Sequence, residues 1–411
     1  MMAWKKYTVE QLIDLDMLEA PMDGNHGSIH PKASDYVLTG VPFIMVNDIS
    51  NGHVDLKNCA FISEKQAATL RKGFAKPGDV LLSHKATIGR TAIVPNDFNT
   101  IILTPQITYY RVKKGIDNRF LKYYFDSPSF QGLFNSWAGS GSTRAYLGIT
   151  AQRKLPIILP ELDEQIKIAD ILSSFDEKID KNNEINNNLE QQAQAIFKSW
   201  FIDFHPFDGN RPIDWITGII DDLGAEIICG KTPVTKRKEY YGGNIPFITI
   251  PDMHGCVYNV STERYLSAAG VASQPKKTLP PNTVCVSCIG TAGLVTLVSE
   301  KSQSNQQINA VVPKEGISVY YIYLLMQTLS ETINKLGQSG STIVNLNKTQ
   351  FGKIPVTIPS EKVLRNFDTL CKPLFEMILS NQKENIKLTN LRDTLIPRLM
   401  SGELDVSNID L

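Results

Sequence analysis

Most of this chain occurs twice. "PFIMVNDI" (Pro42–Ile49) matches "PFITIPDM" (Pro246–Met253) at an offset of 204, and at that same offset "KPGDVLLSHKATIG" (Lys76–Gly89) falls on "PPNTVCVSCIGTAG" (Pro280–Gly293). "TPQIT" (Thr104–Thr108) then answers "NQQIN" (Asn305–Asn309) at 201. The tetrapeptide "SGST" (Ser140–Thr143 and Ser339–Thr342), followed by "KLPIILP" (Lys154–Pro160) and "KIPVTIP" (Lys353–Pro359), recurs at 199. Order is kept while the offset drifts by a few residues, as loop insertions and deletions cause. A period this long is not a solenoid repeat. The chain is two domains of one kind, and any fold assigned to one half must suit the other.

Each repeat has two parts. About 150 residues of short β-type runs come first, broken by Gly, Pro, Asn and Asp; Val80–Leu82, Thr91–Val94 and Ile101–Leu103 are examples. Helix is mixed in at Arg119–Phe125 and Tyr320–Leu329. A long helix follows, opened by Pro160 in one repeat and by Pro359-Ser360 in the other. Ser360 suits an N-cap, and Glu161, Asp163 and Glu164 suit the positive end of a helix dipole.

The helices carry a heptad seam. Ile168, Leu172, Phe175, Ile179, Asn182, Asn186, Leu189, Ala193, Ile196 and Trp200 advance in steps of four and three. The same spacing in the second repeat gives Phe367, Cys371, Leu374, Ile378, Asn381, Asn385, Leu388, Arg392, Leu395 and Leu399. Both asparagine pairs fall on the same seam positions, where a polar residue costs stability but fixes register. Helices that merely cover a domain core are the alternative. Forty-odd residues at about 1.5 Å each make a rod of roughly 60 Å, longer than a small domain is wide, which favours two antiparallel helices packed on each other as the link between domains.

Formal net charge is zero, yet the charge is segregated. Residues 1–155 hold 18 Lys+Arg against 13 Asp+Glu, whereas residues 156–210 hold 4 against 11. Mildly basic domains alternating with an acidic or neutral linker are permissive for DNA binding. Six cysteines form no disulfide framework, and the N-terminus lacks the apolar core of a signal peptide, so a cytoplasmic location without membrane association is expected.

Candidate catalytic motifs fail one by one. Cys285-Val286-Ser287-Cys288 lacks a second ligand pair for zinc and reads as a strand, where positions three apart face opposite ways. Gly230-Lys231-Thr232 resembles the end of a phosphate loop, but Gly224 is one residue too far away and Pro233 follows. The histidines form no metal-ligand pair on a helix. Neither SGST lies in a GxSxG frame, and no Asn/Asp-Pro-Pro-aromatic tetrad of an amino-methyltransferase is present. Basic Lys236-Arg237-Lys238 beside Tyr240-Tyr241 suits a DNA backbone contact as well as it suits a solvated loop.

With these features assembled, the chain resembles the specificity subunit of type I restriction–modification systems over essentially its whole length. "LPELDEQIKIADILSSFDEKI" (Leu159–Ile179), "IFKSWFIDFHPF" (Ile196–Phe207), "YYGGNIPFI" (Tyr240–Ile248) and "LRDTLIPRLMSGELDV" (Leu391–Val406) carry the resemblance. The first repeat departs from it at Asn25-His26-Gly27-Ser28, which lacks the GKTP…YYGG run of the second. The resemblance implies an α+β fold: two β-rich target recognition domains joined by two long, antiparallel coiled-coil-like helices, with an internal pseudo-twofold repeat. The expected boundaries are 1–158 and 204–358 for the domains, 159–203 and 359–403 for the helices, and 404–411 for a tail.

It further implies a non-catalytic subunit without cofactors of its own. Each domain would read one half of a bipartite site in double-stranded DNA. The helices would set the half-site spacing and dock two modification subunits carrying S-adenosylmethionine, with restriction subunits bringing ATP and Mg2+. An assembly scaffold with no DNA recognition is the competing class. Expected DNA contacts are Lys85, Arg90, Ser142, Thr143 and Arg144 in the first domain and Lys236, Arg237, Lys238, Ser341 and Thr342 in the second. Gln106 and Gln307 occupy matching positions in domains that would read different sequences, which favours a structural role.

Overall fold

The structure, a computed structural model, describes residues 4–139, 145–338 and 344–406. The chain divides into two compact units: residues up to Glu177 together with those from Thr389 onward, and Lys178–Leu388. Each unit therefore contains one β-rich domain and a length of each long helix.

In the first unit, the alternating and fully apolar runs become two sheets. One is antiparallel, in the order Thr91–Ile93, Val80–Ser83, Ile107–Tyr110, Met22–Asp23. The other runs Tyr36–Val37, Ala60–Ile62, Val41–Ile44, Ile101–Leu103, Phe74–Ala75, with a parallel pairing between Val41–Ile44 and Ile101–Leu103. The second unit repeats this plan. Its corresponding sheet runs antiparallel through Val295–Val298, Val284–Ser287, Ile308–Pro313 and Gly224–Cys229, with Tyr258–Asn259 added parallel beyond Val295–Val298. The other runs Tyr265–Leu266, Tyr241–Ile248, Ser302–Ser304, Thr278–Leu279, again with its central pair parallel. Even register is kept: Leu82 faces Thr91 and Thr108, and Val286 faces Val295 and Asn309.

Each domain is closed by a two-stranded ribbon. Lys5–Thr8 pairs with Pro156–Leu159, and Ile216–Ile219 pairs with Pro355–Ile358. The closing strand hands the chain directly to a helix: Leu162–Phe201 in one case, Glu361–Met400 in the other. Asp163 and Glu164 lie in the first turn of the former.

The seam residues divide three ways, which refines the picture of helices packed only on each other. Ile168 and Leu172 are buried with Val9, Phe120 and Phe125 in the core of the first domain, where Ile396 and Leu399 join them and Leu395 packs alongside. Phe367 and Ile378 sit in the second domain's core with Phe197 and Tyr321, while Leu189 and Leu374 pack against it. Phe175, Ile179 and Leu388 are half-buried. Between these apolar ends the seam is amide. Asn182, only 1% exposed, donates Nδ2 to Asn385 Oδ1 and to Glu384 Oε2, each at 2.8 Å. Asn381 donates to Asn186 Oδ1 at 2.9 Å, and Asn385 to Asn183 Oδ1 at 2.8 Å. Pairing 182 with 385 and 186 with 381 makes the helices antiparallel there.

A second polar lock lies in the first unit. Asp176 accepts from Tyr123 Oη at 2.6 Å and Arg392 Nη1 at 2.5 Å, with Lys122 Nζ at 3.5 Å. Burial by itself would raise the Asp176 pKa, but Lys122, Tyr123 and Arg392 outweigh it and hold the carboxyl below its ordinary range.

Two stability outcomes follow. Asn182→Ala strips donors from Asn385 and Glu384 and is expected to cost about 1–2 kcal/mol. Asn182→Leu combined with Asn385→Leu should recover most of that in thermal melts, because both amides then leave together; a double variant worse than the single would contradict the amide lock. For Asp176 the depressed folded-state pKa gives stability that is full above its unfolded value of about 3.9 and lost as pH falls below it. Wild-type Tm should therefore fall more steeply than that of Asp176→Asn between pH 5 and 3, and parallel curves would contradict this.

Candidate nucleic-acid interface

The loop that leaves Val80–Ser83 is pinned at both ends by one serine. Ser83 Oγ accepts from Arg90 N, and Ser83 O accepts from Gly89 N, both at 2.8 Å. Ser287 does the same in the second domain, accepting from Leu294 N at 2.8 Å and Gly293 N at 2.9 Å. Gly89 and Gly293 have φ of +84° and +88°, a left-handed turn that a side chain would strain. His84 N donates to Gln106 O and Cys288 N to Gln307 O, so the next loop is tied to this one.

The same loop grips the segment that follows SGST. Leu147 N donates to His84 O and Ala86 N to Ala145 O, both at 3.0 Å. Leu346 N donates to Cys288 O at 2.9 Å and Gly290 N to Val344 O at 3.0 Å. Tyr146 N donates to Ala138 O, and Asn345 N to Gly337 O, at equivalent places in the two domains. Ser142, Thr143, Arg144, Ser341 and Thr342 themselves lie outside the described residues. The flanking residues are held at equivalent points of the two domains.

A glycine sets the position of the first loop in each domain. A Cβ on Gly24 would lie 1.9 Å from Leu103 O, and one on Gly230 would lie 2.1 Å from Asn305 O. Gly24-Asn25 and Gly230-Lys231 are thus equivalent, although the sequences around them share little. Gly230-Lys231-Thr232 leads into irregular chain, with Thr232 Oγ1 donating to Gln306 Oε1 at 2.8 Å. Gln307 is spent internally, accepting from Asn305 Nδ2 and donating to Ile289 O. Cys285 and Cys288 lie in different apolar clusters, and burial pushes both thiols up to about 12.

The basic side chains differ in how free they are. Lys85 Nζ lies 5.9 Å over the ring of Tyr146, itself half exposed. Arg90 is different from what its sequence position suggested. Its Nη1 donates to Val46 O and Ile49 O at 3.0 Å each, so the guanidinium braces a neighbouring turn rather than standing free. Lys236, Arg237 and Lys238 are exposed on the first loop of the second domain, where Arg237 donates to Tyr240 Oη at 2.9 Å. In the first domain His84 is fully buried, Nδ1 bonded to Leu147 O at 3.1 Å; burial holds its pKa below the ordinary histidine value. Tyr146 was not singled out from sequence, since a lone aromatic after SGST has no periodic signal. No helix among the described residues is long and apolar enough to cross a membrane.

Comparison with known proteins agrees with this geometry. The type I restriction modification DNA specificity domain matches residues 3–191 and again 212–388. The chain is 32% identical to the type I restriction enzyme HindI specificity subunit of Haemophilus influenzae, over 89% of this chain and 94% of that protein. It is 26% identical to the MjaIX specificity subunit of Methanocaldococcus jannaschii, over 92% and 90% of the two chains. The crystal structure of the type I restriction–modification S subunit from M. genitalium shares the fold with a TM-score of 0.58 at 16% identity, covering 96% of both chains. A duplicated specificity domain, two matching sheet systems and the long helices that close them place this chain in the family of type I restriction–modification specificity subunits.

Proposed function

We propose that the chain is the non-catalytic DNA-reading subunit of its complex, each domain reading one half of a bipartite duplex site. The observation that carries this is the pairing of one hydrogen-bonded frame, shared by both domains, with different side chains on its loops. Lys85 of the first domain corresponds to Ile289 of the second, and in the run Lys236-Arg237-Lys238 only Lys236 has a basic counterpart, Lys32, while Arg237 and Lys238 fall on Ala33 and Ser34. A shared frame with divergent surface residues is what two readers of different base sequences require. Base discrimination would come from side chains entering the major groove, and Lys/Arg contacts to phosphate would supply salt-dependent affinity.

The helices would set the distance between the half-sites and dock two modification subunits. S-adenosylmethionine and methyl transfer would belong to those subunits, ATP and Mg2+ to restriction subunits. The amide lock supports a ruler, because it fixes one register between the two helices.

Inserting four residues at matched positions in both helices lengthens each by about 6 Å. At about 3.4 Å per base pair, the gap in the methylated site should grow by one to two base pairs with both half-sites unchanged. An unchanged gap in methylome sequencing would defeat the ruler. Exchanging residues 211–360 for those of a relative should change one half-site only, and a change in both would defeat modular reading. Should the assembled complex show no preference for any duplex in competition mobility shifts, the scaffold reading would replace this one.

A further inference from the structure

Two single-residue β-bridges stand at the same place in the two domains. Lys85 pairs antiparallel with Tyr146, and Ile289 with Asn345, at the repeat's own offsets of 204 and 199. The bridging hydrogen bonds are made by the neighbours. Ala86 N donates to Ala145 O and Leu147 N to His84 O, as Gly290 N does to Val344 O and Leu346 N to Cys288 O. In an antiparallel pair of this kind the two side chains lie closest together, on one face. His84, Leu147, Cys288 and Leu346 are buried, so alternation turns the bridge pair outward. Tyr146 and Asn345 are exposed, and Lys85 and Ile289 are half-buried.

The backbone after the first partner is left-handed in both domains, with φ of +64° at Ala86 and +75° at Gly290. Glycine takes that conformation freely whereas alanine is strained by it, so the frame imposes one turn on two sequences. What changes is the chemistry presented. In the first domain it is an ammonium beside a phenol, Lys85 Nζ lying 5.9 Å from the Tyr146 ring centroid. Gly148 leaves room for that ring, since a Cβ there would lie 2.9 Å from Tyr146 Oη. Its counterpart Asn347 carries a side chain, which caps the helix Lys348–Gly352, and the partner two residues before it is the smaller Asn345. Ile289 offers no hydrogen bond, which leaves the Asn345 carboxamide as the polar group of its pair.

We propose that this bridge pair specifies a base in each domain, Lys85 reading a guanine and Asn345 an adenine. This rests on the reading of the chain as a duplex DNA reader and names the side chains that discriminate. In the major groove guanine presents two acceptors, N7 and O6, which suit an ammonium. Adenine presents the N7 acceptor and the N6 donor, which suit a carboxamide that both donates and accepts. Tyr146 is a positioning residue, its ring holding the Lys85 ammonium over one face.

The test uses the full chain assembled with modification subunits, in competition binding on duplexes that carry the methylated site or single base-pair changes within it. Lys85→Ala should lose discrimination at one G·C pair of one half-site, and Asn345→Ala at one A·T pair of the other. Each loss should be about 5- to 100-fold, with every other position read as before. Tyr146→Phe should keep the guanine preference and Tyr146→Ala should weaken it at that same position, while melting curves stay unchanged. Affinity lost equally on all duplexes, as removal of a phosphate contact gives, would overturn the proposal. So would discrimination that survives both alanine variants, or that both lose at the same half-site. A wild-type complex that prefers no duplex would instead sink the underlying reading of the chain as a DNA reader.

Discussion

Ile168, Ala169 and Leu172 of the central helix are buried in one apolar cluster with Phe120 and Leu121 of the first domain and with Ile396, Leu399 and Met400 of the C-terminal helix. Ala193 and Phe197 share another with Tyr321, Phe351, Leu364, Phe367 and Phe375. Burying a Leu, Ile or Phe is worth about 1.5–3 kcal/mol, so each cluster gains far more from these side chains than helix propensity supplies over the same residues. A polar-faced helix of this length would not hold its position by itself. Its segments are fixed because each is part of a domain core, and the ribbon immediately before each helix removes slack at the point of entry.

Apolar ends leave the middle of the seam free to specify rather than to stabilise. Leucines at 182 and 385 would bury more apolar area, yet they would also tolerate a slip of the helices past each other. Asn182 Nδ2 bonded to Asn385 and Glu384, and Asn186 bonded to Asn381, meet these partners in one register. Lys178 adds an ion pair to Glu384 at 3.4 Å, but both groups are largely exposed and the pair contributes little by itself. Amide geometry is the constraint that a one-turn slip would break.

The repeat was legible because strand cores and loop-closing residues leave recurring short words, such as the Pro-Phe-Ile run and the SGST copies. Helix positions were legible for the same reason, from spacing in threes and fours. Spacing alone could not say that Ile168 and Phe367 belong to domain cores while Asn182 faces the other helix, since one stripe serves both partners. The equivalence of Gly24 and Gly230 was hidden because only a carbonyl approach, not a side chain, defines it. Arg90 misled for a related reason: a basic residue in a basic loop looks free until its two backbone carbonyl partners are seen.

Duplicating a domain within one chain has a consequence that two separate copies would not. Once joined, the halves can diverge wherever no frame bond is made, and the pattern of divergence follows that rule closely. Ser83 and Ser287, which each close a turn through two bonds, are the same residue. His84 and Cys288 differ in side chain, yet the contacts they share run through backbone N–H and C=O groups, so the frame survives the exchange. Lys85 and Ile289 differ where the side chain projects from a loop already held by its neighbours. The frame is therefore largely a backbone device, and that leaves projecting side chains free to differ between the domains without destabilising either.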